Sequence, residues 1–587
     1  MVISSRGDHA AEPQYPKDND WNPDGLPPRL LKHERQDGGK RDNARMDTSR
    51  RDLLRGVAAL PALPYAAPAS PAGRSGPPAY RIIYNWDGAP HDYSEFPQSL
   101  EQFLEKTYAP MKDTQVDAHF WCIGEHEAKW RSEHMEMAGD SENRVYGSAR
   151  SMRHNEGIRA MLDRGEDPYA GLVKRGRELG ISPWASVRMN DNHFNGLQVE
   201  DMAGAVMPGL TRLRKEHPEW CLGRENAPQW FAASWNFAHL PVREHRLQHI
   251  TEVARLADWD GIELDWQRHA FHLPLDDAYR LRYTLTDLQR AVRELTNRIG
   301  RERGRPLHLA VRVATTLESC RRIGYDLPVW VKEGLCDIVI AGGGALTDPG
   351  VEVEKFRELL NGTSIRFYPG FDSGFWGEHE GLMPREAWNA AWVRALAEGY
   401  WARGADGMYV FNWHANERRR RPLLTTIGSP ATLRRTNKVH AALHRHIRED
   451  AVPWTGADLH DRIHGETPVE LHPTLSGDGP RFRVPVHDAP AHARTVELHI
   501  EIDHYTALDK VRVTFDGNQL GPPAVRSASR ELNDDPADFG ESSWLVWPLA
   551  PQSAGVGSHE IQTVLLERNR RVRPPLVVKH VEIHVRY

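Results

Sequence analysis

Eight short apolar segments, each followed by a stretch with helical periodicity, recur between Tyr80 and Trp413, and this alternation constrains the fold more than any other feature of the chain. The segments are Arg81–Asn85, Val116–Cys122, Ile181–Arg188, Gly261–Trp266, Leu307–Val313, Asp337–Ala341, Ile365–Pro369 and Met408–Trp413. Between them Pro168–Leu179, Val242–Leu256, Tyr279–Arg301, Val351–Leu360 and Pro384–Arg403 read as amphipathic helices; around the second, Ile250, Val253, Ala254 and Ala257 recur at three and four positions. Helical stretches end at or near glycine, which takes the left-handed conformation after a helix at no steric cost. Eight strands alternating with helices over about 340 residues predict an α/β fold, a (β/α)8 TIM barrel with enlarged loops. A doubly wound open sheet is the competitor. It would carry a glycine-rich phosphate loop after its first strand, where this chain has Asn85-Trp86-Asp87-Gly88. Ala341-Gly342-Gly343-Gly344 follows the sixth strand and reads as a tight turn.

The pattern changes at both ends. After residue 452, Thr495–Ile502, Lys510–Phe515, Ser543–Trp547 and Val577–Arg586 alternate with period two between Pro- and Gly-rich turns, which predicts an all-β sandwich over 452–587. Such a module either packs against the barrel or binds carbohydrate, and the first reading is the simpler. Residues 1–45 are polar and aperiodic. Then Ser49-Arg50-Arg51-Asp52-Leu53-Leu54, a weakly apolar stretch from Gly56 to Ala67, and Ala67-Pro68-Ala69 follow the order of a twin-arginine signal with its cleavage site. Residues 1–79 are therefore expected to be leader and linker, the barrel to span 80–451, and the protein to be exported to the periplasm or beyond.

Composition excludes several classes. With 75 Lys+Arg against 81 Asp+Glu and a net charge of −6, no basic footprint for nucleic acid exists. Four widely spaced cysteines make neither a disulfide framework nor a CxxC metal site. No apolar run reaches the roughly 18–20 residues of a membrane span. No cofactor motif is present, and the oligomeric state is left open.

In a (β/α)8 barrel the working side chains come from the carboxyl ends of the strands. Here those ends are polar almost throughout: Asn85 and Asp87; Asp117, His119 and Trp121; Arg188, Asn190, Asp191 and His193; Glu263, Asp265, Arg268 and His269; Arg312 and Glu318; Asp372; Asn412, Trp413 and His414. One polar strand end is ordinary solvation, but convergence from most of the strands predicts a cleft. The densest signal is Asp260-Gly261-Ile262-Glu263-Leu264-Asp265-Trp266-Gln267. Alternation places Glu263 and Asp265 on one face, their roots about 6–7 Å apart. Like charges that close, in a partly dry mouth, push one pKa upward and leave one acid as donor beside an ionised neighbour.

This octapeptide resembles the DGxDxDxE strand of family-18 chitinases, with Asp260, Glu263 and Asp265 on that family's acidic series and Gln267 where it has its proton-donating Glu. It is similar also to the family-10 glycosyl-hydrolase-like bacterial barrels, with their DGIxLD strand, over about Tyr80 to Arg445. The resemblance implies a carbohydrate-active (β/α)8 barrel with Asp265 in the motif. A hydrolase needs a second carboxylate across the sugar; Asp372 in Tyr368-Pro369-Gly370-Phe371-Asp372 is the first candidate, Glu318 the next, while Glu378 and Glu380 read as solvated. Trp86, Trp376 and Trp413 offer faces for sugar rings, although each alone reads equally as packing. Arg188, Arg312 and Arg268 either meet an acidic sugar or neutralise Glu263, Asp265 and Asp191. The expected function is therefore glycoside hydrolysis by carboxylate acid–base catalysis. Two alternatives stand. One is a metal-dependent barrel hydrolase or lyase using Asp191-Asn192-His193, Glu263, Asp265, His269 and His272, though no HxH or HExxH spacing fixes a site. The other is a non-catalytic carbohydrate-binding barrel, to which Gln267 is suited.

Overall fold

Strand β1 (Ile82–Trp86) pairs in parallel with β2 (Val116–Cys122), and the pairing continues through β3 (Ser182–Arg188), β4 (Gly261–Asp265), β5 (His308–Val313), β6 (Ile338–Ala341), β7 (Arg366–Phe371) and β8 (Met408–Phe411). Closure comes from β8 on β1, with Ile82 opposite Met408 and Asn85 opposite Phe411. The chain is a closed eight-stranded parallel barrel with helices between the strands. This computed structural model describes residues 76–86, 96–123, 126–194, 196–227, 231–343, 347–372, 385–413, 420–443, 466–527 and 542–587. The twin-arginine stretch and its cleavage motif lie outside the described residues.

The helices begin and end where local chemistry dictates. Ser99 caps Leu100–Tyr108 in a capping box: its hydroxyl accepts from the Gln102 amide at 3.2 Å, while the Gln102 side chain accepts from the Ser99 amide at 2.9 Å. Asp167 caps Pro168–Glu178 by accepting from the amides of Tyr169 and Ala170, with Pro168 in the first turn, where its missing N–H costs nothing. The longest helix, Tyr283–Arg303, stops at Gly304, whose φ of 72° is the left-handed cap foreseen from the sequence. It buries Leu285, Leu288, Val292, Leu295 and Ile299, one apolar stripe against the strands.

Alternation along each strand then separates two cores. Ile82, Tyr84, Trp121, Val187, Ile262, Leu264 and Val339 point outward into the helix layer. Ile83, Ala118, Phe120, Trp184, Ala310, Ile338, Ile340, Tyr368, Tyr409 and Phe411 fill the barrel interior. Trp184 lies flat between Phe120, whose ring centroid is 4.6 Å away, and His308 at 6.2 Å. It fits only because the facing β4 residue is Gly261: a Cβ there would lie 2.3–2.5 Å from three atoms of the indole. Gly261→Ala therefore lowers stability by about 1–3 kcal/mol through overpacking, seen as a reduced urea midpoint with unchanged slope.

The all-β region packs two antiparallel sheets over one apolar core that includes Leu498, Ile500, Phe482, Val484, Ile561 and Ile583. The larger sheet contains β9 (Lys438–Ala441), β10 (Val469–Leu471), β12 (Thr495–Asp503), β15 (Ala524–Ser527), β16 (Ser542–Leu549) and β18 (Leu576–Arg586). The smaller contains β11 (Arg481–Val486), β13 (Lys510–Phe515), β14 (Asn518–Gln519) and β17 (Gly557–Glu567). The first strand, β9, comes from upstream of residue 452: its Ala441 pairs with Glu582 of β18. Buried Lys438 ties barrel to sandwich, 3.3 Å from Glu398 on a barrel helix and 2.9 Å from Asp488 in the sandwich. Among the described residues no helix is long and apolar enough to cross a membrane.

Candidate functional site

The inward-facing residues near the carboxyl ends of the strands are polar, and register stacks them into two tiers. Ser186 on β3 lies beside Glu263 on β4, and one step nearer the mouth Arg188, Asp265 and Arg312 stand side by side on β3, β4 and β5. In the lower tier Asn85 Nδ2 donates to Glu263 Oε2 at 2.8 Å and to Ser186 Oγ at 3.1 Å. In the upper tier Arg312 Nη1 donates to both oxygens of Asp265 at 3.1 and 3.0 Å, and Nη2 to Asp372 Oδ1 and the Gly343 carbonyl, each at 2.5 Å. The main-chain amides of Gln267 and Arg268 also donate to Asp265 Oδ1, at 3.1 and 2.9 Å. Phe411 lies beneath the Arg312 guanidinium at 4.1 Å.

All of these side chains are buried, with Glu263, Asp265 and Arg312 at 0 % exposure and Asp372 at 1 %. Burial, reinforced by the charge of Asp265, pushes the Glu263 carboxyl up to about 7. Burial likewise pushes Asp372 up to about 7, Asp265 adding to the rise and Arg312 opposing it. Burial works against the Arg312 charge, but Asp265 and Asp372 outweigh it and hold its pKa above the ordinary arginine value. Two carboxyl oxygens, Glu263 Oε1 and Asp372 Oδ2, are buried without a hydrogen-bond partner. Gly342 lies beside the second: a Cβ there would stand 3.7 Å from Asp372 Oδ2, an ordinary contact. The tier thus holds two acids on one cation, one of them able to carry a proton near neutral pH. Residues 87–95, 344–346, 373–384 and 414–419, which follow β1, β6, β7 and β8 in sequence, lie outside the described residues.

Of the residues singled out from sequence, Glu263, Asp265, Asp372, Arg312, Arg188 and Asn85 meet in these tiers. Arg188 Nη1 donates to Asp191 Oδ2 at 3.0 Å, and Arg312 pairs with Asp265 and Asp372. Asp191, His193 and His269 form a second group beside the first, at the ends of β3 and β4, with His193 45 % exposed and 3.3 Å from Arg268. Asn412 ends β8 in the left-handed conformation, φ 47°, and its amide donates to the Asn85 carbonyl at 3.1 Å.

Others fall elsewhere. Trp121 follows inward-facing Phe120 by one residue, so alternation turns it into the helix layer, edge-on to Phe103 at 5.4 Å. His119 shares that outer face against Tyr108, and Asp117 pairs with Arg81 near the strand starts. Trp413 and Trp86 also belong to the outer core; Trp413 packs edge-on to Phe371 and its indole N–H donates to the Arg420 carbonyl. Asn190 spends its amide on the main chain of Trp235 and Phe271, stapling two loops. Glu318 is 62 % exposed in the first turn of the helix Leu317–Arg322, where the helix dipole favours an acid, and faces Arg321. His272 is buried against Trp266 and Tyr325. Asp87, His414, Trp376, Glu378 and Glu380 lie outside the described residues. Three residues escaped the sequence reading. Ser186 and Tyr409 could have been found by alternation, two positions before Arg188 and Phe411. His126, in the segment after β2, carried no such signal.

No family model matches the chain, and no curated protein matches it. Similar solved structures include a cycloisomaltooligosaccharide glucanotransferase of Paenibacillus sp., at 12 % identity and TM-score 0.29, covering 86 % of this chain and 57 % of that one. A family-27 β-L-arabinopyranosidase of Geobacillus stearothermophilus matches at 11 % identity and TM-score 0.33, covering 83 % and 97 %. A family-36 α-galactosidase of the same organism matches at 12 % and 0.32, covering 86 % and 55 %. The chain spans little more than half the length of the first and third. These neighbours are glycoside-active proteins, while the barrel of the present chain is established by its own strand pairing.

Proposed function

We propose that the protein hydrolyses glycosidic bonds in an oligo- or polysaccharide, with Asp372 as proton donor and Asp265 as the carboxylate that faces the anomeric carbon. One observation carries this reading: Asp265 and Asp372 are held on a single guanidinium, yet Asp372 is pushed up to about 7 and keeps one oxygen, Oδ2, unpartnered. Glycoside cleavage requires that division, one protonated and one ionised carboxyl flanking the bond. The Asp372 proton passes to the glycosidic oxygen as the C–O bond breaks. The Asp265 carboxylate meets the positive charge developing at the anomeric carbon, and a water adds its hydroxyl there while its proton returns to Asp372, ionised by the first step. Glu263 sits one tier deeper, where Asn85 donates to it. Because Arg188 and Arg312 already donate to protein carboxylates, neither calls for a charged substrate, and neutral oligosaccharides are the first to test. Export by the twin-arginine route is part of the proposal, supported by Arg50-Arg51 and the Ala67-Pro68-Ala69 motif.

Reducing-end release from a panel of neutral and uronic oligosaccharides tests the reading. Activity falls as pH rises through about 7, because Asp372 must keep its proton to act as donor and loses it there. No release from any member of the panel by folded protein, or activity that grows above that pH, rejects the assignment.

A further inference from the structure

We propose that His126, Asp191 and His193 form a binding site for one divalent transition-metal ion of the zinc class, beside the carboxylate tiers and separate from them. The three come from the segments after β2 and β3, and their candidate ligand atoms all lie within 4.8 Å of one another. Asp191 Oδ1 is the centre of the group: His126 Nε2 is 3.5 Å from it, His193 Nδ1 2.5 Å and His269 Nδ1 3.1 Å. Ligands on a tetrahedral ion with bonds of about 2.0–2.1 Å stand roughly 3.3–3.5 Å apart, the spacing His126 already has from the carboxylate.

The polar bookkeeping of this group is open in a way that a cation closes. Both ring nitrogens of His126 are buried without a well-aligned hydrogen bond, and Asp191 Oδ1 is buried among three imidazole nitrogens. Such groups are costly to bury unless something satisfies them. The other Asp191 oxygen, Oδ2, accepts from Arg188 at 3.0 Å, which fixes the carboxylate with Oδ1 turned to the imidazoles. That is how outer partners orient metal-binding carboxylates. His269 accepts the Asn192 amide at its Nδ1, 2.9 Å, so this nitrogen is already engaged and the ring serves as a wall. Three protein ligands then leave a fourth position for water. The charges around the group are the Arg188 guanidinium, Arg268, whose Nη2 lies 3.3 Å from His193 Nε2, and Arg214, stacked on Phe194 and Trp235. Coordination through His193 Nδ1 puts the ring hydrogen on Nε2, so Arg268 gives up its contact when metal enters. The chemistry of two imidazoles and one carboxylate selects zinc or cobalt over magnesium or calcium. The site shares Asp191 and His193 with the metal-dependent alternative read from the sequence, and it stands whether or not the glycosidase reading does.

The test uses the full chain, stripped with chelator and then freed of it. Titration with Zn2+ alone binds one equivalent and raises Tm with metal concentration; Co2+ gives the visible absorption of a low-coordinate nitrogen–oxygen site. His193→Ala, at a half-exposed position, and His126→Gln each weaken Zn2+ binding at least a hundredfold, while the metal-free unfolding curve of His193→Ala stays that of the parent. If His126→Gln fails to fold, His193→Ala decides. Absence of binding at micromolar Zn2+ by folded protein, or undiminished affinity in His193→Ala, overturns the proposal.

Discussion

Asp265→Asn and Asp372→Asn each lower turnover on the responsive oligosaccharide at least a hundredfold, with the unfolding transition still cooperative. The loss corresponds to at least about 2.7 kcal/mol of transition-state stabilisation. Asn at 265 keeps the shape and the acceptor oxygen for the amides of Gln267 and Arg268, but removes the charge that meets the developing cation. Asn at 372 keeps an acceptor for Arg312 and cannot deliver a proton. Because each substitution removes a group that acts in the transition state, kcat and kcat/KM fall together. Glu263→Gln has a smaller effect, since Glu263 is a tier deeper and bonded to Asn85. Glu318→Gln, at an exposed helix start, leaves activity unchanged. Equal activity of the Asp265 and Asp372 variants with the parent removes both from the mechanism.

Arg312→Met destabilises the fold by about 3–5 kcal/mol at neutral pH, the cost of leaving a buried charge without its partner. Arg312 is the sole side chain among the described residues found bonding both Asp265 and Asp372, and all three are buried. The methionine fills similar volume against Phe411, so the loss reports charge rather than packing. Its signature is pH dependence. Without the guanidinium the buried acids favour their neutral forms, so the deficit relative to the parent shrinks as pH falls. The double variant Arg312→Met, Asp372→Asn recovers part of it, because one of the two acids left without the guanidinium can no longer ionise. Urea midpoints at several pH values measure both effects.

The division between what could be read from residues and what could not follows from range. Strand and helix positions were legible because period-two and 3.6-residue patterns are local: β2 and β13 have the bounds their alternation implies, and Gly304 ends its helix by a rule of one residue. The pair Glu263 and Asp265 was legible for the same reason, two inward positions on one strand. Trp121 was misplaced because residue type was weighed above parity, one step of alternation sending it into the helix layer; Trp413 shares parity with inward-facing Phe411 and leaves that face because left-handed Asn412 breaks the alternation. Local pattern was enough for the barrel, the β-sandwich and the strand that carries the acids. The folded chain was needed to show that Arg312 of β5 binds Asp265 to Asp372, that Glu318 faces water, and that His126 joins Asp191 and His193. Those partners lie 47, 60 and 65 residues apart in the chain, counting His126 to Asp191 last, and no local pattern encodes a distance closed only when eight strands wrap into a ring.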